Sequence, residues 1–288
     1  MSSYVIFADS ACDMREDILQ SWGIVTGNLR FRFEGEDREY SNNELHPKEF
    51  YDKMRKGGIA KTSAVNVSDF KALFETALQK GEDVLYLGFS SGISTTYNSG
   101  RLAAEELKAL YPERTILTVD TLAASAGFGL LLYLATQKKR EGASIEAVAA
   151  YITQIRSKLC HWFTVDDLVY LKRGGRVSPT SAFIGGVLGI KPVMHVDDAG
   201  KLIPVTKVRG RRAALQAMAD QYGQLVDASV KAPVYISHGD CMEDVEILKK
   251  LLKEQHGADV EVVSDVGPVI GAHSGPGTLA LFFVGTQK

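Results

Sequence analysis

Apolar residues recur along this chain in short unbroken runs, separated by longer stretches whose apolar positions return at helical spacing. An unbroken run reads as a strand covered on both faces, and apolar positions every three or four residues read as an amphipathic helix. On that basis Tyr4 to Ala8 is a strand, Met14 to Trp22 a helix and Ile24 to Phe33 a strand. In the last of these, Leu29, Phe31 and Phe33 alternate with Arg30 and Arg32, which marks one solvated face, and Glu34-Gly35-Glu36-Asp37 supplies a turn. Pro47 suits the first turn of a helix ending near Arg55, and Ser68 is placed to cap another that stops at Gly81. The apolar run Val84 to Gly88 then opens into the loop Phe89-Ser90-Ser91-Gly92-Ile93-Ser94-Thr95-Thr96, followed by a helix from Tyr97 to Leu110. A strand from Thr115 to Val119 and two helices follow, the first running from Leu122 to Ala135 and the second capped by Ser144. Alternating strands and helices predict a doubly wound parallel sheet.

The pattern changes near Cys160. His161 to Val165 reads as a strand, with short helices around Leu168 and Ala182 after it. Lys191 to Val196 and Lys201 to Val208 flank Asp197-Asp198-Ala199-Gly200, a hairpin signal that requires an antiparallel pair. A helix from Arg211 to Val226, a strand from Pro233 to Ser237, a helix from Met242 to His256 and strands at Asp259 to Val263 and Leu279 to Gly285 complete a mixed unit. The predicted fold is α/β with two domains: residues 1–160 form a doubly wound, mainly parallel sheet, and residues 161–288 a mixed α/β sheet. A chain of 288 residues has the length for two such cores.

Composition narrows the function. With 45% hydrophobic residues, 24% charged residues and a net charge of -2, nucleic acid is not an expected partner. Cys12, Cys160 and Cys241 lie far apart, giving neither a CxxC metal pair nor a paired disulfide framework, which fits a reducing cytoplasm. The start runs directly into a strand, and the most apolar helix is shorter than the ~20 residues of a bilayer span, so neither a signal peptide nor a transmembrane segment is expected.

Candidate chemistry sits in the loops. A hydroxyl-rich, uncharged loop between a strand and a helix N-terminus suits an anionic head group held by hydrogen bonds. Gly88-Phe89-Ser90-Ser91-Gly92 also fits G-x-S-x-G, and Asp265 and His273 follow in hydrolase order, so a serine esterase using Ser90 is a formal alternative. That pattern is short, and no oxyanion segment of the HGGG type accompanies it. Walker A, paired-glycine dinucleotide and HExxH patterns are absent. Asp9 and Asp13 stand at the end of the first strand, where carboxylates more often cap the next helix than bind Mg²⁺. Lys172-Arg173-Gly174-Gly175-Arg176, with Arg209, Arg211 and Arg212, forms basic clusters suited to a phosphate or an acidic partner. His273 lies in a Gly- and Pro-rich stretch read as a rigid turn, whose glycines allow another surface to approach.

Taken in order, Asp9-Ser10 with Asp13, Thr62-Ser63, Ser90-Ser91 to Ser94-Thr95-Thr96-Tyr97, Leu171 to Val177, Gly189-Ile190-Lys191-Pro192-Val193 and His273 to Thr278 resemble the DegV family over nearly the whole chain. The resemblance implies a two-domain protein without catalysis of its own or a cofactor, binding a long-chain fatty acid in the cleft between the domains. It further implies that this protein presents the carboxylate to a separate kinase, which uses ATP and Mg²⁺ to make acyl phosphate for phospholipid synthesis. Membrane contact would be transient at most. Carried over by motif, the head-group residues fall on Thr62 and Ser94, with Ser63 and Ser91 beside them, and the motif histidine on His273. The arginines implied for the kinase or the phosphorylated head are Arg176, Arg209 and Arg173. Ile93 and Thr95 depart from the Leu and Gly that the family pattern leads one to expect. Phe183, Ile184, Val187, Leu188, Ile190 and Leu281 are apolar candidates for the tunnel wall. A carrier of some other apolar carboxylate, acting without a kinase, is the remaining alternative.

Overall fold

The computed structural model describes residues 3–177 and 189–288 and shows an α/β protein built on two large sheets. Its first half runs β1 (Tyr4–Asp9), α1 (Glu16–Trp22), β2 (Ile24–Gly27), β3 (Arg30–Phe33), β4 (Tyr40–Ser41), α2 (Pro47–Arg55), β5 (Ala60–Ser63), α3 (Val67–Leu78), β6 (Asp83–Gly88), α4 (Thr96–Leu110), β7 (Ile116–Asp120), α5 (Ser125–Arg140) and α6 (Ile145–Ile155). The second half continues with β8 (Leu159–Thr164), α7 (Val169–Arg173), β9 (Ile190–Val196), β10 (Leu202–Arg209), α8 (Arg211–Leu225), β11 (Val234–His238), α9 (Met242–His256), β12 (Val260–Asp265), α10 (Pro268–Ser274) and β13 (Leu279–Val284). The predicted helix around Ala182, and Phe183, Ile184, Val187 and Leu188, lie outside the described residues.

Strands β2, β1, β6 and β7 form a parallel sheet in that order, and β10, β9, β8, β13, β11 and β12 form a mixed one. In the mixed sheet β11 and β12 pair in parallel and the other described neighbours antiparallel; the hairpin around Asp197 to Gly200 joins β9 to β10 as the sequence predicts. Helix α5 is buried around most of its circumference, including Phe128, Leu130, Leu131 and Leu132. It packs against β8, β11 and β13 and against the turn after β1, so one continuous core joins the two sheets.

Several local readings are corrected. The expected strand from Ile24 to Phe33 is two strands in different sheets. β2 is the edge of the parallel sheet, whereas β3 pairs antiparallel with β4 and β5 in a small three-stranded sheet. The half-solvated alternation of Arg30 and Arg32 suits that ribbon, not a strand buried on both faces. Helix α3 is capped by Asn66, whose Oδ1 accepts the Asp69 N–H at 2.8 Å, while the Ser68 hydroxyl donates to the same oxygen. Ser144 does cap α6, through the Ala147 N–H at 3.3 Å. Left-handed backbone at Asp13 and Leu122 delays α1 and α5 beyond the starts predicted for them. His273 lies within α10, not in a turn.

Candidate functional site

The carboxyl ends of β1 and β6 set the first wall of a cavity. Asp9, fully buried, accepts the N–H of Ala11 at 3.2 Å through Oδ1, and the Phe89 N–H at 2.9 Å and the Tyr86 hydroxyl at 3.1 Å through Oδ2. It thus caps the next turn and ties down the loop after β6, the structural role expected of it. Burial pushes its pKa up to about 7. In the loop, the Ser90 and Gly92 region meets the β9–β10 hairpin. Ser90 Oγ donates to the Gly200 carbonyl at 2.8 Å, and a Cβ on Gly200, at φ +72, would fall 2.2 Å from that Oγ. The loop then enters α4, with Ser94 Oγ accepting the Thr96 N–H at 3.2 Å. Thr95 sits at φ -80, ψ -5, an ordinary right-handed conformation, so the departure from glycine strains nothing. No carboxylate lies in the first turn of α4 to neutralise its positive end.

A cavity of about 390 Å³ opens beside this loop, within the usual size range of ligand sites. Its rim carries Thr62 and Ser63 from β5 and Ser91, Ser94 and Thr95 from the β6–α4 loop. Its depth is set by period two on the mixed sheet. Thr278, Ala280 and Phe282 line it from β13 and its approach, and register places Ala280 between Phe163 and Ser237 and puts Phe282 opposite His161. At about 3.3 Å per residue, Phe282 lies roughly 13 Å further in than Thr278. Leu281 points to the other face, among the residues packed under α8 and α9, and neither it nor Ile190 lines the cavity. The inner wall holds Ser125, whose Oγ donates to Asp13 Oδ2 at 2.5 Å and pairs with Ser237 Oγ at 2.9 Å, bonding the two halves together.

Near the rim, Thr62 Oγ1 and His273 Nε2 are 2.8 Å apart. His273 packs against the backbone of Gly174, where a Cβ would come within 2.2 Å of Nδ1; this is why the Arg-Gly-Gly-Arg segment needs glycine there. Burial first, and then the Arg176 guanidinium, lower the His273 pKa to about 4, so the imidazole is neutral at pH 7. Arg176 lines the same cavity, half-buried, and donates from Nε to the Ile93 carbonyl at 3.2 Å and from Nη1 to the Gly174 carbonyl. Burial lowers its pKa from an ordinary value far above neutrality. The arrangement offers hydroxyls, an imidazole and a cation to an anionic head, with an apolar interior behind them.

The structure therefore brings together Thr62, Ser63, Ser91, Ser94, His273 and Arg176. Arg173 and Arg209 stay outside the cavity: Arg173 is exposed over the Tyr170 ring, and Arg209 is exposed at the end of β10. Ser90, Asp265 and His273 do not assemble into a triad. Ser90 is occupied by Gly200, His273 by Thr62, and Asp265 has His238 3.7 Å away. A nucleophile needs its base within hydrogen-bond reach, and that pairing is not formed. Sequence reasoning missed Phe163, Ser237, Ala280 and Phe282 as wall residues. The two-residue alternation of β13 held the signal, but apolar residues on both faces concealed which face is inward. Among the described residues, no cluster of His, Cys, Asp or Glu is placed to hold a metal, and no helix is long and apolar enough to cross a membrane.

Two sheets closing on a deep, largely apolar cavity with an anion-suited rim define a small-molecule binding fold more than a hydrolase. The family model described as "Uncharacterised protein, DegV family" matches residues 3–286, and the chain belongs to the DegV family. A DegV domain-containing protein of Clostridium perfringens is 41% identical over 291 residues, covering 100% of this chain and 99% of its own. The solved structure reported as fatty acid binding of a DegV family protein from Thermus thermophilus shares 29% identity and a TM-score of 0.86 over 98% of this chain and 99% of that one. A Thermotoga maritima protein, described as revealing a fatty acid binding function, shares 30% identity and a TM-score of 0.83, covering 98% and 99%.

Proposed function

We propose that this protein binds a long-chain fatty acid, acyl chain inward and carboxylate at the rim, and hands that carboxylate to a separate ATP-dependent kinase in the cytoplasm. The observation that carries the reading is the cavity itself: apolar walls running inward from Thr62, His273 and Arg176. Its similarity to DegV proteins described as binding fatty acids supports the same ligand class. Burial of about fourteen methylenes at ~0.8 kcal/mol each gives roughly 11 kcal/mol gross, comparable with the about 4–15 kcal/mol lost on association. The tail supplies affinity. The head is positioned by hydroxyl bonds of about 1 kcal/mol each net, with Arg176 as counter-charge, since an unpaired buried carboxylate is costly. The rim placement leaves the carboxylate within reach of a partner's active site, and the exposed Arg173, next to Gly174, and Arg209 are the residues assigned to that partner. ATP and Mg²⁺ belong to the kinase, and this chain contributes no catalytic group.

Titration of delipidated protein with oleate and with oleyl alcohol tests the reading. Oleate is expected to bind at least tenfold more tightly, and equal affinity would remove the carboxylate site. With the kinase and ATP added, trapping of acyl phosphate as hydroxamate is expected, and none from a kinase active with another carrier would overturn the presenting role.

A further inference from the structure

Ser274, the last residue of α10, is 5% exposed and lines the cavity, and its Oγ is buried without a hydrogen-bond partner. Several other hydroxyls in the wall are served from within the protein. Thr62 has His273, Ser94 has Thr96, Ser125 has Asp13 and Ser237, and Thr278 donates to the Gly275 carbonyl at 2.7 Å. Among the described residues Ser274 Oγ is the one unpartnered buried side-chain polar atom in this wall; the others of its kind lie elsewhere in the molecule. A buried hydroxyl left unpaired is destabilising, and such a group in a native fold calls for an explanation. Alanine would fit the same space and favour the helix more, so the fold gains nothing from the oxygen.

We propose that Ser274 is a further head-group residue, its hydroxyl donating to the ligand carboxylate beside the oxygen served by Thr62, whose hydroxyl His273 orients. The proposal rests on the fatty-acid reading. It accounts for the orphaned donor by a group that arrives with the ligand, and it sets Ser274 beside the Thr62–His273 pair, toward a carboxylate with two acceptor oxygens. A hydrogen bond to a charged acceptor is stronger than one to a neutral group, so its loss should be felt mainly by ionised ligands.

The test compares wild type, Ser274→Ala and Ser274→Thr, all delipidated, for oleate affinity and for melting temperature without ligand. Ser274→Ala is expected to bind oleate about tenfold more weakly while melting at the same temperature or higher, because an unsatisfied hydroxyl has been removed. Ser274→Thr, which keeps the hydroxyl, should recover affinity. Unchanged oleate affinity in Ser274→Ala, with wild type binding normally, overturns the assignment and leaves the fatty-acid reading standing. A lowered melting temperature in Ser274→Ala assigns the hydroxyl to the fold and also overturns it. Failure of wild type to bind oleate removes both readings at once.

Discussion

Gly174 and His273 show how a residue without a side chain controls one with chemistry. The imidazole rests where a Cβ at 174 would stand, so Gly174→Ala should displace it and weaken fatty-acid binding by about tenfold, the loss of one charge-assisted bond. Thr62→Val, which removes only the hydroxyl, should produce a similar loss without a change in melting temperature; calorimetric titration reads both. The His273 pKa near 4 reflects burial and then Arg176, and a carboxylate bound nearby counters the Arg176 charge and favours the protonated ring. NMR titration of the ring should therefore show the pKa rise when oleate binds and stay put with oleyl alcohol. Thr62, Ser94 and His273 were legible in the sequence because the motifs hold them in order. Arg176 was legible as a cation, but its position in the cavity wall was not, since that depends on how α7 packs against α10.

At the level of elements, the mixed sheet separates core from cavity by parity alone. Ala280 and Phe282 face inward, and Leu279, Leu281 and Phe283 face α8 and α9. Leu281→Ala should cost about 2–5 kcal/mol of stability in urea and leave ligand affinity alone. Ala280→Leu should instead shift the preferred ligand to shorter acyl chains, measured by competition between myristate and stearate. The β9–β10 hairpin was readable from Asp197-Asp198-Ala199-Gly200, yet its role of clasping the Ser90 loop was not. A contact 110 residues apart has no local sequence signature. The same holds for β2 and β3, where one apolar pattern served two sheets, because periodicity reports which faces are covered and not by what.

Across the whole molecule, Asp13, Ser125 and Ser237 bond the two halves together behind the cavity. Burial raises Asp13, like Asp9, to about 7, so protonation favours the folded state. The stability each contributes is complete below the ordinary carboxylate pKa and is lost as pH rises from about 4 through about 7. His273 runs the other way: its contribution is present above the ordinary histidine pKa and lost as pH falls through about 4. Asp13→Asn, neutral at every pH, should flatten the loss of melting temperature between about pH 4 and pH 7, and a profile parallel to wild type would remove Asp13 from it. The alternation of parallel strands and helices, and the change to an antiparallel unit near Cys160, made the two-sheet architecture legible. The shared core through α5, which sets the shape of the cavity, emerges only when the sheets meet.

Whether the cavity holds a long-chain fatty acid is decided by native mass spectrometry of the purified protein, followed by organic extraction. One C14 to C18 fatty acid per chain is expected, reduced in a Thr62→Ala, Ser94→Ala double variant that melts as wild type does. A protein that carries no lipid and takes up neither oleate nor palmitate when they are added would contradict it.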